Sequence, residues 1–329
     1  MKNIGVIGGG AWGTALAITA AKAGGTVTLW AREEEVVSDI NKDHQNRIFL
    51  PDVDLPDNLS ATSDLGDLKD REMILMVAPA QFVRPVAEDL AKAIPENIPI
   101  VLCAKGIEQS TGKLITEVMA DVMPKNPLAV LSGPTFAIEV AKGLPSAVTI
   151  ASKYQQLAGR IADCLGRPTF RPYLSRDVIG AEIGGAVKNV LAVACGIVEG
   201  RQMGDNARAA LITRGLAEMI RFGEHKGADR ETMMGLCGLG DLILTCSSPQ
   251  SRNMSLGMAL GQGQSIKDIM DGRKTVAEGY HTASILAKIA DENNIDMPIA
   301  KGVNDILHGG KDVEMVITDI LNRPLTTEI

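Results

Sequence analysis

Residues 3–17 read NIGVIGGGAWGTALA. The first six are a short apolar run of strand character, and the residues after position 13 form a small-residue stretch free of helix breakers. Between them lies Gly8-x-Gly10-x-x-Gly13. Glycines at such a strand-to-helix turn allow tight bending and close approach of a ligand to the backbone. The helix that follows turns its unpaired N–H groups and positive dipole end toward the same point, which suits a pyrophosphate. A second strand-like run, TVTLW at 26–30, completes a strand–turn–helix–strand unit. In that setting the motif predicts a dinucleotide site.

Working outward, the runs at 72–78, 99–104, 128–133 and 146–152 are further candidate strands, with helical patterns after most of them. Such alternation calls for a mostly parallel sheet with helices on both faces, because parallel neighbours need crossover connections. From about residue 177 the strand signal stops. Segments 177–199, 206–225, 253–260, 282–293 and 299–308 keep helical spacing between glycine-rich or polar turns. The expected fold is α/β: a Rossmann-like dinucleotide-binding domain over 1–176, then a mainly α-helical, substrate-binding domain over 177–329. The boundary is placed near FRPYLSRD at 170–177.

Composition narrows the function classes. A chain of 329 residues, 45% hydrophobic and 22% charged, is long enough for two domains with separate cores. Its net charge of −7 argues against a general nucleic-acid binder, which needs a basic surface. Five cysteines at 103, 164, 195, 237 and 246 form no C-x-x-C pair and read as reduced thiols in a cytoplasmic protein. No signal peptide and no membrane span is expected, and the four scattered histidines lack metal-ligand spacing, so no metal is expected.

Several stretches carry chemistry. The second strand ends in LWAR, placing Arg32 where an acidic residue would hold the ribose of NAD. Arginine suits a 2′-phosphate, so NADP is favoured; Glu33, Glu34 and Glu35 follow at once and keep NAD open, as does a solvated Arg32. Lys105 stands at the carboxyl end of a strand, where doubly wound proteins bind ligands, and could equally be a surface turn lysine. LSGPTFAIEVAKG (131–143) offers Gly133, the Thr135 hydroxyl and a helix start at Ala137, or merely an ordinary bend. GLCGLGDLILTCSSPQSRN (235–253) reads as a long polar interruption in a helical region. It places Asp241 after a Gly-Leu-Gly turn and gathers Ser251, Arg252 and Asn253 at a helix start, a donor set that suits a phosphate. The bland alternative there is a capped helix with a solvated arginine. Finally, AEIGGAVKNVLAVACG (181–196) carries one lysine, Lys188, on a bare face of Ala181, Gly184, Gly185 and Ala192. Two helix-weakening glycines beside a lysine suggest that something approaches closely.

Together with AKGIE (104–108), NARAALITRGLAEM (206–219) and TVAEG (275–279), these stretches resemble the bacterial-type NAD(P)-dependent glycerol-3-phosphate dehydrogenases over nearly the whole chain. The resemblance implies reversible hydride transfer between NAD(P)H and dihydroxyacetone phosphate, giving sn-glycerol 3-phosphate for phospholipid synthesis. It implies Lys188 as general acid/base and Lys105 as a second lysine contacting substrate and cofactor. It further implies Gly133, Thr135, Asp241, Ser251, Arg252 and Asn253 as residues that contact substrate or help hold it. The cofactor site would be the glycine turn, with Gly8, Gly10, Ala11, Trp12 and Gly13, plus Arg32, Ala137, Arg252, Val276 and Glu278. Many relatives have serine where this chain has Ala11, and Thr135 keeps the hydroxyl of a common serine. A homodimer is also implied.

The chemistry explains the lysine. Hydride arriving at a ketone places negative charge on oxygen, so a proton donor must stand within hydrogen-bond reach. An ammonium among apolar walls near Lys105 is expected to have its pKa lowered toward neutrality, with the bare helix face leaving room for the ring and the three-carbon substrate. Two rival readings are a β-hydroxyacid dehydrogenase, which also uses a helix Lys-Asn pair such as Lys188-Asn189, and a non-catalytic NADP-binding sensor.

Overall fold

Strand β1 (Asn3–Ile7) is four-fifths buried and lies at the middle of an eight-stranded sheet in the order β3-β2-β1-β4-β5-β6-β7-β8. The structure is a computed structural model and describes residues 1–272, 277–325 and 327. The other strands are β2 (Thr26–Trp30), β3 (Leu59–Thr62), β4 (Met73–Met76), β5 (Ile100–Leu102), β6 (Leu128–Ser132), β7 (Ser146–Ala151) and β8 (Phe170–Ser175). All pairs are parallel except β6 with β7. Between them run α1 (Ala11–Lys22), α2 (Glu34–Asp43), α3 (Val83–Ala93), α4 (Ile115–Val122), α5 (Ala137–Ala141) and α6 (Gln155–Leu165). The strand order reverses at β1/β4, and because these strands are parallel the carboxyl ends of β1, β2, β4 and β5 form one rim, the place where doubly wound sheets take ligands.

Two strands escape the pattern reading. LSAT in β3 is short and polar at alternate positions, and FRPYLS in β8 carries Pro172. Pro172 is tolerated because β8 is an edge strand, with only β7 to bond to. The stretch expected to be a boundary segment is therefore the last strand of the sheet.

After β8 the described chain is helical: α7 (Val178–Gly200), α8 (Asp205–Lys226), α9 (Arg230–Met233), α10 (Asp241–Cys246), α11 (Arg252–Gly261), α12 (Ile266–Asp271), α13 (Glu278–Glu292), α14 (Pro298–Leu307) and α15 (Val313–Leu321). Helix α7 is long and apolar enough to cross a membrane, yet 94% of its most apolar window is buried inside the protein. It is the axis of the helical half, with α8, α10, α11, α13 and α14 packed round it. Small residues make this possible. A Cβ on Gly257 of α11 would fall 2.0 Å from the Val193 carbonyl oxygen, so the two helix backbones nearly touch.

One expectation needs correction. Residues 235–253 are not a loop: Leu236–Gly240 form one π-helical turn that runs directly into α10, and only a short connection precedes α11. The glycines that look like a loop on paper let the backbone wind wide, and π-turns of this kind cluster at functional sites.

Candidate functional site

The glycine turn after β1 uses each glycine for a different reason. Gly8 has φ of +121°, which side chains rarely adopt, and its N–H donates to the Trp30 carbonyl at 3.0 Å. A Cβ on Gly13 would stand 1.9 Å from the Gly8 carbonyl oxygen, so α1 packs against the turn with no space for one. Gly10, the N-cap of α1, has nothing within 4 Å of where a Cβ would be, and this is the open side of the cradle. Asn46 braces the turn from below, donating to the Gly9 carbonyl and to Thr14 Oγ1, each at 2.8 Å. Sequence reasoning passed over Asn46, since nothing local marks a residue 37 positions away in the chain.

Ala11 and Trp12 sit half-buried in the first turn of α1, and the indole N–H of Trp12 is buried and, among the described residues, without a hydrogen-bond partner. Ala137 opens α5, which packs against α1 beside them. A bare glycine turn, an unmatched indole donor and a helix N-terminus fit a pyrophosphate-bearing dinucleotide. Arg32 lies two residues past β2, its side chain 79% exposed and 3.6 Å from Glu33.

The second constellation draws on both halves of the molecule. Lys105, just beyond β5, donates from Nζ to the Gly133 carbonyl at 2.9 Å and to Asp241 Oδ2 at 2.7 Å. Lys188, on α7, donates to Asp241 Oδ1 and Thr245 Oγ1, each at 2.7 Å. Asp241 is wholly buried and stands between the two ammonium groups. Two lysines and one aspartate leave a local charge of about +1, which suits an anionic substrate or a developing oxyanion. Burial pushes the Lys188 ammonium down to about 8; Asp241 opposes that shift and the charge of Lys105 adds to it. Thr135 Oγ1 donates to the same Gly133 carbonyl at 3.3 Å, which keeps its hydroxyl at the rim beside Lys105.

The remaining candidates are tied in by backbone and amide bonds. Asn189 Nδ2 donates to the Lys105 carbonyl at 3.1 Å, Asn253 Nδ2 donates to Asn189 Oδ1 at 2.9 Å, and the Gly279 N–H donates to Asn253 Oδ1 at 2.9 Å. Ser251 is the N-cap of α11, accepting from the Met254 N–H at 3.2 Å, and Arg252 starts that helix with an exposed side chain. Glu278 Oε1 accepts from the Ala80 N–H at 3.0 Å, linking α13 to the loop after β4. Val276 lies outside the described residues. Asn189 and Thr245 are parts of the site that the sequence reading did not assign; Thr245 sits four residues after Asp241, a helical spacing visible only once 241–246 is known to be helix.

The bare face of α7 is packed against protein at Gly184 and Gly185. A Cβ on Gly184 would fall 2.3 Å from the Cys237 carbonyl oxygen, and one on Gly185 would lie 3.0 Å from Ser132 Oγ and 3.2 Å from Lys105 Cγ. Ala181 and Ala192 are wholly buried. The close approach that Gly184 and Gly185 permit is made by the π-turn and by the Lys105 stem.

Residues 3–158 match the family described as NAD-dependent glycerol-3-phosphate dehydrogenase N-terminus, and residues 177–318 match the corresponding C-terminus family. Two similar proteins, each named as an NAD(P)+ glycerol-3-phosphate dehydrogenase, come from Parvibaculum lavamentivorans and Rhodospirillum rubrum. The first is 54% identical over 99% of this chain and 98% of its own length. The second is 55% identical over 100% and 94%. The crystal structure of glycerol-3-phosphate dehydrogenase from Coxiella burnetii superposes with a TM-score of 0.94 at 38% identity, over 98% of this chain and 99% of that one.

Proposed function

This chain belongs to the NAD-dependent glycerol-3-phosphate dehydrogenase family, and on that ground we propose that Lys188 is the proton donor and acceptor of its reaction. The protein is an oxidoreductase that transfers a hydride between NAD(P)H and dihydroxyacetone phosphate, with sn-glycerol 3-phosphate as the other partner. The observation that supports the role of Lys188 is its pairing, through one buried carboxylate, with Lys105 at the sheet rim.

A bound nicotinamide would supply the hydride chemistry, to the carbonyl carbon in reduction and from the carbinol carbon in oxidation. Everything else falls to the chain. In reduction the Lys188 ammonium hands a proton to the carbonyl oxygen as negative charge grows there, and Lys105 adds a second positive charge to that oxygen's surroundings. In oxidation neutral Lys188 takes the hydroxyl proton back. Asp241, bonded to both ammonium groups, fixes them beside the substrate and keeps Lys188 from losing its proton too readily. Thr245 supplies a second acceptor that aims the amine.

Arg252 and the N–H groups opening α11 would hold the substrate phosphate, with Ser251 and Asn253 shaping that helix start. The Asn253 amide is tied to Asn189 and to the Gly279 N–H, which would place it to help hold the substrate beside Arg252. Gly133 and Thr135 would border the substrate beside the ring. Gly8, Gly10, Ala11, Trp12, Gly13, Ala137 and Glu278 would line the cofactor, with Arg32 on a 2′-phosphate, so NADPH is the preferred reductant. The product would feed phospholipid synthesis in the cytoplasm, and the enzyme would act as a homodimer.

The test is the initial rate of dihydroxyacetone phosphate reduction with NADPH and with NADH, beside oxidation of a β-hydroxyacid. Rapid turnover of the phosphorylated ketone with a higher kcat/KM for NADPH is the expected result. Turnover of the hydroxyacid alone would overturn the substrate assignment, and a preference for NADH would overturn the role of Arg32.

A further inference from the structure

We propose that Thr282 is a positioning residue for cofactor binding, acting through the carboxylate of Glu278; the inference rests on the reading of Glu278 as a cofactor contact. Glu278 and Thr282 are one helical turn apart on α13 and so share a face. Glu278 Oε1 is taken by the Ala80 N–H. Its other oxygen, Oε2, and the Thr282 hydroxyl are both buried and, among the described residues, without a hydrogen-bond partner. Thr282 is wholly buried.

Both oxygens face one point on the sheet rim. A Cβ built on Gly106 would lie 3.3 Å from Glu278 Oε2, 3.6 Å from Thr282 Oγ1 and 2.7 Å from Ala80 Cβ. Gly106 follows Lys105 directly, and Ala80 follows β4, so this point lies between the carboxyl ends of two neighbouring strands, where a dinucleotide lies across such a sheet. A carboxylate oxygen only accepts, whereas a threonine hydroxyl has one proton to give. The two atoms are not bonded to each other in this structure; donation from Thr282 to Oε2, through a small side-chain turn or one bridging water, would satisfy both. Glu278 is then held at both oxygens, by the loop after β4 and by its own helix, and cannot turn away from the rim. Gly279, the next residue, already receives the Asn253 contact, so the start of α13 is fixed from two sides.

Removing the hydroxyl frees one end of the carboxylate while leaving the Lys188 centre alone. The experiment compares full-length Thr282→Val, Thr282→Ala, Thr282→Ser and Glu278→Gln with the parent. NADPH and NADH dissociation constants are measured by quenching of tryptophan fluorescence, together with kcat, the KM for cofactor and the melting temperature. Thr282→Val and Thr282→Ala should raise both dissociation constants about tenfold, the loss expected for one hydrogen bond to a charged group, with KM rising in step and kcat at saturating cofactor nearly constant. Thr282→Ser should restore the parent values, and adding Thr282→Val to Glu278→Gln should cost nothing more. Glu278→Gln without effect would sink the reading of Glu278 itself. Weakened binding in Glu278→Gln but unchanged binding in the Thr282 variants would overturn the inference alone, as would a lowered melting temperature without weaker binding, or a serine variant as weak as valine.

Discussion

The charge of Lys188 is set by a balance between burial, which favours the neutral amine, and Asp241, which favours the ammonium. With its pKa brought to about 8, the sign of the pH dependence follows. Glycerol 3-phosphate oxidation needs the neutral amine and should rise as pH passes through about 8, while ketone reduction needs the ammonium and should fall over the same range. Pre-steady-state rates in both directions would check this. Lys188→Ala should lower kcat by about 10²–10⁴-fold with cofactor affinity retained. Asp241→Asn leaves buried Lys188 and partly buried Lys105 without their counter-charge, so the oxidation limb should move to lower pH, and the melting temperature should drop as expected for a broken buried ion pair worth about 3–5 kcal/mol.

At the scale of elements, the site is held by backbones in contact. The π-turn at Leu236–Gly240 sets Asp241 at the head of α10, and Gly184 lets that turn press on α7. Gly184→Ala should therefore cost about 1–3 kcal/mol in urea unfolding and also lower kcat, because Asp241 moves with the turn. A merely destabilised protein with unchanged kcat would show that the turn is not coupled to the lysines. In the first helix, Gly13→Ala drives a Cβ into the Gly8 carbonyl, so both NADPH and NADH should bind at least about tenfold more weakly by fluorescence titration, with the fold otherwise kept.

At the scale of the whole molecule, α7 is common ground. One face meets the sheet through Ser132 and Lys105, another meets the π-turn and α10, and α11 lies along a third. A helix buried on every side can exchange its amide hydrogens only when the surrounding structure opens, so residues 181–197 should be among the slowest to exchange and should track global unfolding. Exchange there faster than in β1 or β4 would show that the helical half opens by itself. The lysine–aspartate cluster also spans this junction, since Lys105 comes from the sheet and Lys188, Asp241 and Thr245 from the helices.

The glycine turn, the alternation of strands and helices, and the switch to helix after residue 177 were legible in the sequence because each is a local pattern: close backbone approach, period two, period three to four. So were Lys105, Lys188 and Asp241 as singular polar residues in apolar or glycine-rich settings. Strands β3 and β8 were not legible, since an edge or a short strand draws its stability from its neighbour rather than its own residues. Nor was the meaning of Gly184 and Gly185, because a missing Cβ does not say whether protein or ligand fills the gap. That Asp241 joins two lysines 83 positions apart, that Thr245 completes the set and that Asn46 braces a turn far from it in the chain were decided by tertiary structure alone. Contacts between distant residues depend on how whole elements pack, and no local period encodes that.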